Sequence, residues 1–506
     1  MKTLPSDPQP AEPAPPGLTL APFRGVRYDP DRVADLAKVT SPPYDVIGPD
    51  TVEHLLSSEP HNVVRIILPE AGAARAPDHR ARQDRSRANE AAARTLGDWL
   101  SSGVLIRDAV PALYVYEQRV PAGPGPAGAG PQAGPAGQVI QRGLIGALRL
   151  VPPSARRVLP HEDVMPGPVT GRRGLMEATQ ANLEPIFVLY GSADGDDDGP
   201  ADNRAPGSPD GAPDSPGDRR ESGSADGGAS RSAPEGAPVT ATQLVEQTAS
   251  REPLIDTVTD DGVRHRLWAV TSPREHAMVA ADLAARQALI ADGHHRYAAY
   301  LDLQARRHAA GGGAGPWDYG LAFLVDAAAY PPRIGAIHRV VPGLEPARAA
   351  EMAKSAFSVR AVPGGPDAAL RALADAGDEG PAFVLAGGGE HYLLTDPDAV
   401  ALADAMPPER SPRWRGLGPS VMRELLIGSA WKLQDAEPDV LVVHDAASAA
   451  VAAADQVRGT AVLCNPVTAE DVSAVAAGGE RVPRKSTSFG PKPRTGFVIR
   501  TFDADT

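Results

Sequence analysis

Apolar positions along the chain fall into two kinds of pattern. The runs VVRIIL (63–68), ALYVYEQ (112–118), LIGALRL (144–150), PIFVLY (185–190), HRLWAV (265–270), LAFLV (321–325), AFVLA (382–386) and VLVVH (440–444) are short and rich in β-branched and aromatic residues, and they read as strands. Ala88–Leu100, Arg274–Ile290, His294–Ala309 and Pro346–Ala356 carry helical spacing instead, as do the Ala-rich stretches 445–457 and 468–477. Pro346 suits a first helical position, where its missing N–H costs nothing. This mixture predicts an α/β (mixed α+β) fold. Between these elements lie stretches with almost nothing to bury. Residues 1–18 form a Pro-rich tail, expected to be disordered. Residues 121–138 (PAGPGPAGAGPQAGPAGQ) separate two strands like an overgrown hairpin loop, and residues 191–240 are dominated by Gly, Asp, Pro and Ser. Such segments cannot offset their ordering entropy by burial. A Pro342-Gly343 turn after the strand around Ile334–Val341 divides the remainder. The expected domains are 19–342, carrying both low-complexity inserts, and a C-terminal α/β domain, 343–506, that completes the site. No internal repeat is visible.

Composition narrows the function classes. The chain has 506 residues and a formal net charge of −14. That acidity, without a long basic run or a clear helix-turn-helix, argues against nucleic acid as a partner. Cys464 is the only cysteine, which excludes an intrachain disulfide and suits a reducing compartment. The N-terminus lacks the apolar core of a signal peptide, and no apolar run reaches the roughly 18 residues of a membrane span. A cytoplasmic protein with a small-molecule substrate and no membrane partner is expected; oligomeric state is not encoded in any visible pattern. Standard catalytic motifs fail. There is no G-x-G-x-x-G after a strand, no G-x-S-x-G elbow, and no paired cysteines. Around Gly479–Ser486 a P-loop is excluded because Arg484 replaces the second glycine. His161-Glu162 opens like a zincin motif, but Met165 stands at the second histidine position.

Four constellations remain. The sharpest is ADGHHRY (291–297), a turn at Asp292-Gly293 followed by a helix beginning at His294. A helix start has unpaired N–H groups and a positive dipole end, and His294, His295 and Arg296 bring further donors, a natural anion site. Asp292 could cap the helix or orient a histidine. The second is ERVPRKSTSFGPKPRTG (480–496), where Arg481, Arg484, Lys485, Lys492 and Arg494 alternate with Ser486, Thr487 and Ser488, a pattern able to wrap a polyanion. The third joins FRGVRYDP (23–30), with Arg24 and Arg27, to SPPYDVI (41–47), whose Pro-Pro pair presents Tyr44 and Asp45. The fourth, VLPHEDVMPG (158–167), offers His161 and Glu162 as acid/base groups or metal ligands. Tyr44, His161 and Tyr297 are the candidate substrate contacts.

These segments, in this order, resemble domain-of-unknown-function family 1015 of bacteria and archaea. The resemblance rests on FRGVRYDP, SPPYDVI, NVVRIILPE, ALYVYEQ, QRGLIGALRL, VLPHE, ATQANLEPIF, GVRHRLW, IADGHHRY and GERVPRKSTSFGPKPRTG, and it spans about residues 19–506 outside the two inserts. Val482 stands where the family usually has Met, and Ser488 and Gly490 stand where aromatic residues are usual. The DGHHR turn is also similar to the phosphate-contacting motif of the ParB-like and sulfiredoxin-like superfamily, which includes kinases of free serine and nucleotide-hydrolysing DNA clamps. That similarity implies a ParB/sulfiredoxin-like strand-turn-helix element, with His294, His295 and Arg296 on a phosphoryl donor and Asp292 beside the reacting atoms.

The expectation is therefore a phosphotransferase, a small-molecule kinase. It would move a phosphoryl group from ATP, ADP or pyrophosphate, with Mg²⁺, to a small hydroxylated metabolite such as free serine. Asp45, Glu162 or Asp292 would serve as base or Mg²⁺ ligand, with Gly293, Arg296, Arg481, Lys485, Ser486, Thr487, Lys492 and Arg24 on phosphate. A non-catalytic nucleotide or anion sensor and a phosphate-ester hydrolase are the alternatives.

Overall fold

Most of the runs that read as strands gather into one sheet. The computed structural model describes residues 17–70, 79–120, 137–191, 239–444 and 446–504, with the backbone alone for 79–83 and 504. The N-terminal tail through residue 16 and nearly all of both inserts lie outside the described residues. The strand order in the large sheet is Val158–Pro160, Ala288–Asp292, Ile186–Tyr190, Tyr319–Asp326, Gln138–Arg149, Leu113–Val120, Arg264–Val270 and Ile255–Val258. Leu20–Ala21 pairs with the end of Gln138–Arg149. Pairing is antiparallel except that Ala288–Asp292 runs parallel to Val158–Pro160, and Tyr319–Asp326 parallel to Ile186–Tyr190.

Both faces of this sheet are buried, which is why its strands are almost uninterruptedly apolar. Leu113, Val115, Ile186, Val188 and Ile290 pack on one face against Tyr297, Tyr300 and Leu303 of the helix His294–Ala309 and against the helices Pro273–Leu283 and Ala241–Ala249. Tyr114, Tyr116, Phe187, Leu289 and Phe323 point the other way, into a core shared with Phe383, Val421, Leu425 and Val462 of the second unit. That unit is an antiparallel sheet in the order Ser358–Ala361, Glu390–Thr395, Phe383–Gly387, Thr460–Cys464, Ile337–Val341 and Leu441–His444. The fold is mixed α/β, and no helix among the described residues is long and apolar enough to cross a membrane.

The chain does not stay in the second unit to its end. Ser488–Gly490 pairs with Arg333–Gly335. Thr495 bridges Ser41, Ile499 bridges Val26, and Arg500–Thr501 pairs with Ala181–Asn182. The final stretch is thus stitched by backbone hydrogen bonds into the N-terminal part of the molecule, bringing the basic loop back towards the large sheet.

Two local expectations are corrected. VVRIIL is not a strand; Val64–Ile67 form a helical turn. Asn62 sets it up, accepting from the Val64 amide at 2.9 Å and donating to the carbonyls of Lys38 and Thr40. The helix over Arg274–Ile290 stops at Leu283, and Ala288–Asp292 is a buried strand. After the irregular residues 161–165, Pro166 starts a helix to Thr179 that buries Leu175, Met176 and Thr179.

Candidate functional site

The parallel strands Val158–Pro160 and Ala288–Asp292 end side by side, and each delivers a functional segment at its C-terminal end. After Asp292 the chain turns through Gly293, whose φ of 92° is left-handed and whose added Cβ would lie 2.9 Å from Ile186 Cγ2. Only glycine fits this turn without strain. The helix His294–Ala309 then begins with no side-chain cap, so its first-turn N–H groups have no side-chain acceptor. Beside the turn is a cavity of about 480 Å³. Asp292, Gly293, His294 and His295 line it from the helix start, and Glu162, Asp163 and Met165 from the neighbouring strand end. Tyr44 and Asp45 come from the Pro-Pro segment, Arg484, Lys485, Thr487 and Lys492 from the basic loop, and His444 from the second sheet.

Two buried histidines build the floor, His294 lining it and His161 beneath. His161 donates from Nδ1 to the Ile290 carbonyl at 2.7 Å, since a carbonyl can only accept; its Nε2 then accepts from the Thr487 hydroxyl at 2.9 Å. The His161 amide in turn donates to His294 Nε2 at 3.3 Å. Both rings are therefore neutral. Burial pushes His161 down to about 4 and holds His294 well below the ordinary histidine range. His295 sits nearer the opening, and its Nε2 accepts from the Met165 amide at 3.1 Å.

A charge network forms one wall. Asp292 receives Arg296 Nη2 on one oxygen and Lys492 Nζ on the other, each at 2.5 Å. Lys492 also reaches Asp45 at 3.3 Å. Burial works to raise the Asp45 carboxyl, but the Lys492 and Arg296 charges outweigh it and hold the group below its usual value. Glu162 goes the other way: burial raises it, against the amide and charge of Lys485. The basic loop is shaped from behind by Arg339. This residue is buried against Asp435 at 2.6 Å and donates to the carbonyls of Arg484 and Lys485. Lys485 donates its backbone amide to Glu162 Oε1 at 3.1 Å. Among the described residues, neither the Arg484 guanidinium nor the Lys485 ammonium has a carboxylate partner, and both face the cavity.

Of the residues singled out by sequence, Tyr44, Asp45, Glu162, Asp292, Gly293, His294, His295, Arg484, Lys485, Thr487, Ser488 and Lys492 meet at this cavity. Eight others do not line it. Arg27 pairs with Asp108, and Arg494 donates to Thr40. Arg296 is 2% exposed and is consumed by Asp292 and by the Pro185 carbonyl at 2.5 Å. Tyr297 is buried, with its hydroxyl on the Val151 carbonyl. Ser486 is buried and bonds the Pro483 carbonyl. Arg481 holds the Glu162 carbonyl and pairs with Asp163. His161 lies beneath the floor, and Arg24 donates to the Asp108 carbonyl away from the cavity. Sequence reasoning passes over His444, which enters only because the second sheet folds against the first, and Glu184. Glu184 is 4% exposed; it accepts from the Tyr44 amide and meets Arg172, whose guanidinium lies 4.0 Å over the Tyr44 ring. A carboxylate directly ahead of the apolar run PIFVLY was the available cue.

His161, Glu162 and His294 also offer ligand atoms within 4.8 Å of one another, a set able to hold a metal ion. Glu162 and Asp45 each retain one carboxylate oxygen outside the contacts described above, whereas both oxygens of Asp292 are engaged.

No curated protein matches the chain. Among solved structures, a free serine kinase in complex with AMP is similar at 12% identity and a TM-score of 0.32, covering 69% of this chain and 90% of that one. A conserved hypothetical protein from Pyrococcus furiosus gives 11% and 0.31 over 69% and 93%. A C-terminally truncated SbnI from Staphylococcus aureus gives 10% and 0.32 over 70% and 85%. Likeness of that size carries no ligand or activity across. The family model described as "Protein of unknown function (DUF1015)" matches residues 20–198 and 234–420, well over half of the sequence. The chain belongs to the DUF1015 family.

Proposed function

We propose that the cavity at the start of the helix His294–Ala309 binds the phosphates of a nucleotide or pyrophosphate and transfers a phosphoryl group to a small hydroxylated metabolite. One observation carries this reading. Arg484 and Lys485, without carboxylate partners among the described residues, face the same space as an uncapped helix N-terminus. Cations and aligned N–H groups without acceptors are what a phosphate needs. Phosphoryl transfer asks little more of a protein than positioning and charge neutralisation.

Glu162 supplies the base. Its carboxyl is raised by burial towards the working pH, which suits proton transfer. As the acceptor oxygen bonds to phosphorus and the bond to the leaving phosphate opens, Glu162 takes the hydroxyl proton. Lys492 holds Asp45 and Asp292 in place beside the reacting groups. Asp45 is the residue that would hold Mg²⁺, which would neutralise phosphate charge when bound. His295 donates to a phosphate oxygen from Nδ1, since its Nε2 is occupied as an acceptor.

The test is direct. The full chain is incubated with Mg²⁺, with ATP, ADP or pyrophosphate, and with a panel of hydroxylated metabolites including serine, and phosphorus NMR follows the products. A new phosphomonoester that requires the acceptor supports the reading; absence of product with every pair refutes it. The His161–Glu162–His294 ligand set favours a second reading, metal-assisted hydrolysis of a phosphate ester. Phosphate release that proceeds equally without acceptor would establish that reading instead.

A further inference from the structure

The strand Ser488–Gly490 and the residues after it have two sides. One borders the cavity just described. The other borders a second cavity of about 490 Å³, to which Gln118, Asp261, His265, Arg333 and Arg494 contribute. Val46, Ser488, Phe489 and Lys492 line both spaces. Lys492 has a different task on each side. Its ammonium holds Asp292 and Asp45, while its backbone carbonyl accepts from Gln118 Nε2 at 2.9 Å.

Two groups in the second cavity lack the partners their chemistry demands. Gln118 is 2% exposed. A carbonyl can only accept, so the bond to Lys492 fixes the amide NH₂ on that side; it also donates to the Tyr116 hydroxyl at 3.0 Å. The other end, Oε1, is buried with no hydrogen-bond partner. Arg494 is half-buried. It donates to the Thr40 hydroxyl at 2.7 Å and to the Thr40 carbonyl, and no carboxylate among the described residues lies within ion-pair distance. Burial pulls its guanidinium below the ordinary arginine range, and the neighbouring Tyr116, Asp261 and Asp260 do not make up the difference. A desolvated cation without an anion destabilises the fold unless a ligand completes it.

The two groups are held together by one rigid network. The Arg494 amide donates to the same Tyr116 hydroxyl that receives Gln118, at 3.2 Å. With two donors already on its oxygen, Tyr116 must give its own proton to His265 Nδ1, 2.8 Å away. His265 then donates from Nε2 to the Thr259 hydroxyl at 3.1 Å, which donates to Asp261 at 2.5 Å. Every proton in this back wall has a fixed direction, leaving Gln118 Oε1 as the unmet acceptor.

We propose that the second cavity is a subsite for a small carboxylic acid bearing a hydroxyl group, its carboxylate on Arg494. Resting on the phosphotransfer reading, this subsite anchors the acceptor by its acid end, with the hydroxyl directed past Lys492 and Phe489 to Glu162 in the first cavity.

The test uses the full chain without nucleotide. Binding of D-glycerate and L-serine is measured by calorimetry and ligand-observed NMR, with glycerol and ethanolamine as controls lacking the carboxylate. Pyrophosphate binding is measured alongside as the readout of the first cavity. At least one acid should bind roughly tenfold or more tighter than its control, the worth of one charge-assisted contact. Arg494→Met should abolish that preference while leaving pyrophosphate binding unchanged. Val263→Trp, on the cavity lining and joined to Thr259 and Asp261 only through its backbone, should block the acid in the same way if Arg494→Met proves poorly folded. Failure of both acids to bind, equal binding by both variants, or displacement of the acid by pyrophosphate would each overturn the proposal. Acid binding that depends on Arg494 without phosphoryl transfer from any donor would leave the subsite standing and refute the phosphotransfer reading. Phosphoryl transfer indifferent to Arg494→Met would do the reverse.

Discussion

Arg296 belongs to the most distinctive motif in the chain, yet the structure makes it a fastener, and its replacement by Met should show this in stability before activity. The side chain is 2% exposed, with Nη2 at 2.5 Å from Asp292 Oδ2 and Nη1 at 2.5 Å from the Pro185 carbonyl. Removing one partner of a buried ion pair costs about 3–5 kcal/mol, because the other charge stays buried. Lys492 remains on the second oxygen of Asp292, which argues for the lower end, about 3 kcal/mol. The stranded Pro185 carbonyl adds about 1 kcal/mol. Its neighbour His295 is the control. It lies partly exposed and accepts a single bond from Met165, so His295→Ala should cost about 1 kcal/mol or less.

The assay is urea unfolding at neutral pH, followed by tryptophan fluorescence and circular dichroism together, since coincident transitions are needed before a free energy is assigned. With a slope of about 3 kcal/mol per molar urea, Arg296→Met should lower the midpoint by about 1.3 M, and His295→Ala by about 0.3 M. In the double variant Asp292→Asn/Arg296→Met, the cost should fall short of the sum of the single changes by about 1–3 kcal/mol, as expected for residues in direct contact. Equal midpoints for Arg296→Met and His295→Ala, or additive costs in the cycle, would refute the structural role and return Arg296 to the ligand.

Three further outcomes follow from the same geometry. His161 and His265 are neutral in the fold, with values near 4 and 3, and they take up protons near 6.5 when unfolded. Stability should therefore be full above pH 6.5 and fall as pH drops, by about 2 kcal/mol for each ring near pH 5; urea midpoints that stay flat from pH 7 to 5 would refute the neutral assignment. Glu162→Gln should remove turnover while leaving pyrophosphate affinity and the melting temperature nearly unchanged, as expected for a base that does not hold the donor; retained turnover would show that another group takes the proton. Gly293→Ala should destabilise the protein by about 1–3 kcal/mol, because a non-glycine residue would be strained at this φ and its Cβ would press on Ile186; a variant as stable as the parent would show that the turn is not left-handed.

Much of the architecture was legible because burial on both faces of a sheet leaves a simple trace. PIFVLY and LAFLV are apolar without interruption, ALYVYEQ is so as far as Tyr116, and each became a central strand. VVRIIL carries the same composition and became a helical turn, because Asn62 offers local hydrogen bonds that no composition argument weighs. The short apolar run Ala288–Ile290 failed in the opposite sense: it could extend the preceding helix or start a strand, and only its pairing with Ile186–Tyr190 and Val158–Pro160 decides. His444 could not be read at all, since its place at the cavity depends on one sheet folding against another.

The basic motifs teach a sharper lesson about residue type and direction. Successive residues in a helix point about 100° apart, so His294, His295 and Arg296 span more than half the circumference and cannot all face one ligand. Arg296 turns back onto the Asp292 carboxylate at the end of the preceding strand, while helical spacing places Tyr300 and Leu303 in the core with Tyr297. The basic loop follows the same logic without a helix. Arg481 and Ser486 are spent on the backbone of their own surroundings, Lys492 on two carboxylates, and Arg494 on Thr40 and the second cavity. Among the described residues, Arg484, which touches only the Met165 sulfur, and Lys485 are left without a carboxylate partner; Arg339 holds the carbonyls of this pair from the opposite side. A binding site in an acidic protein is thus marked by the cations that its own carboxylates leave unpaired, rather than by the density of cations in the sequence.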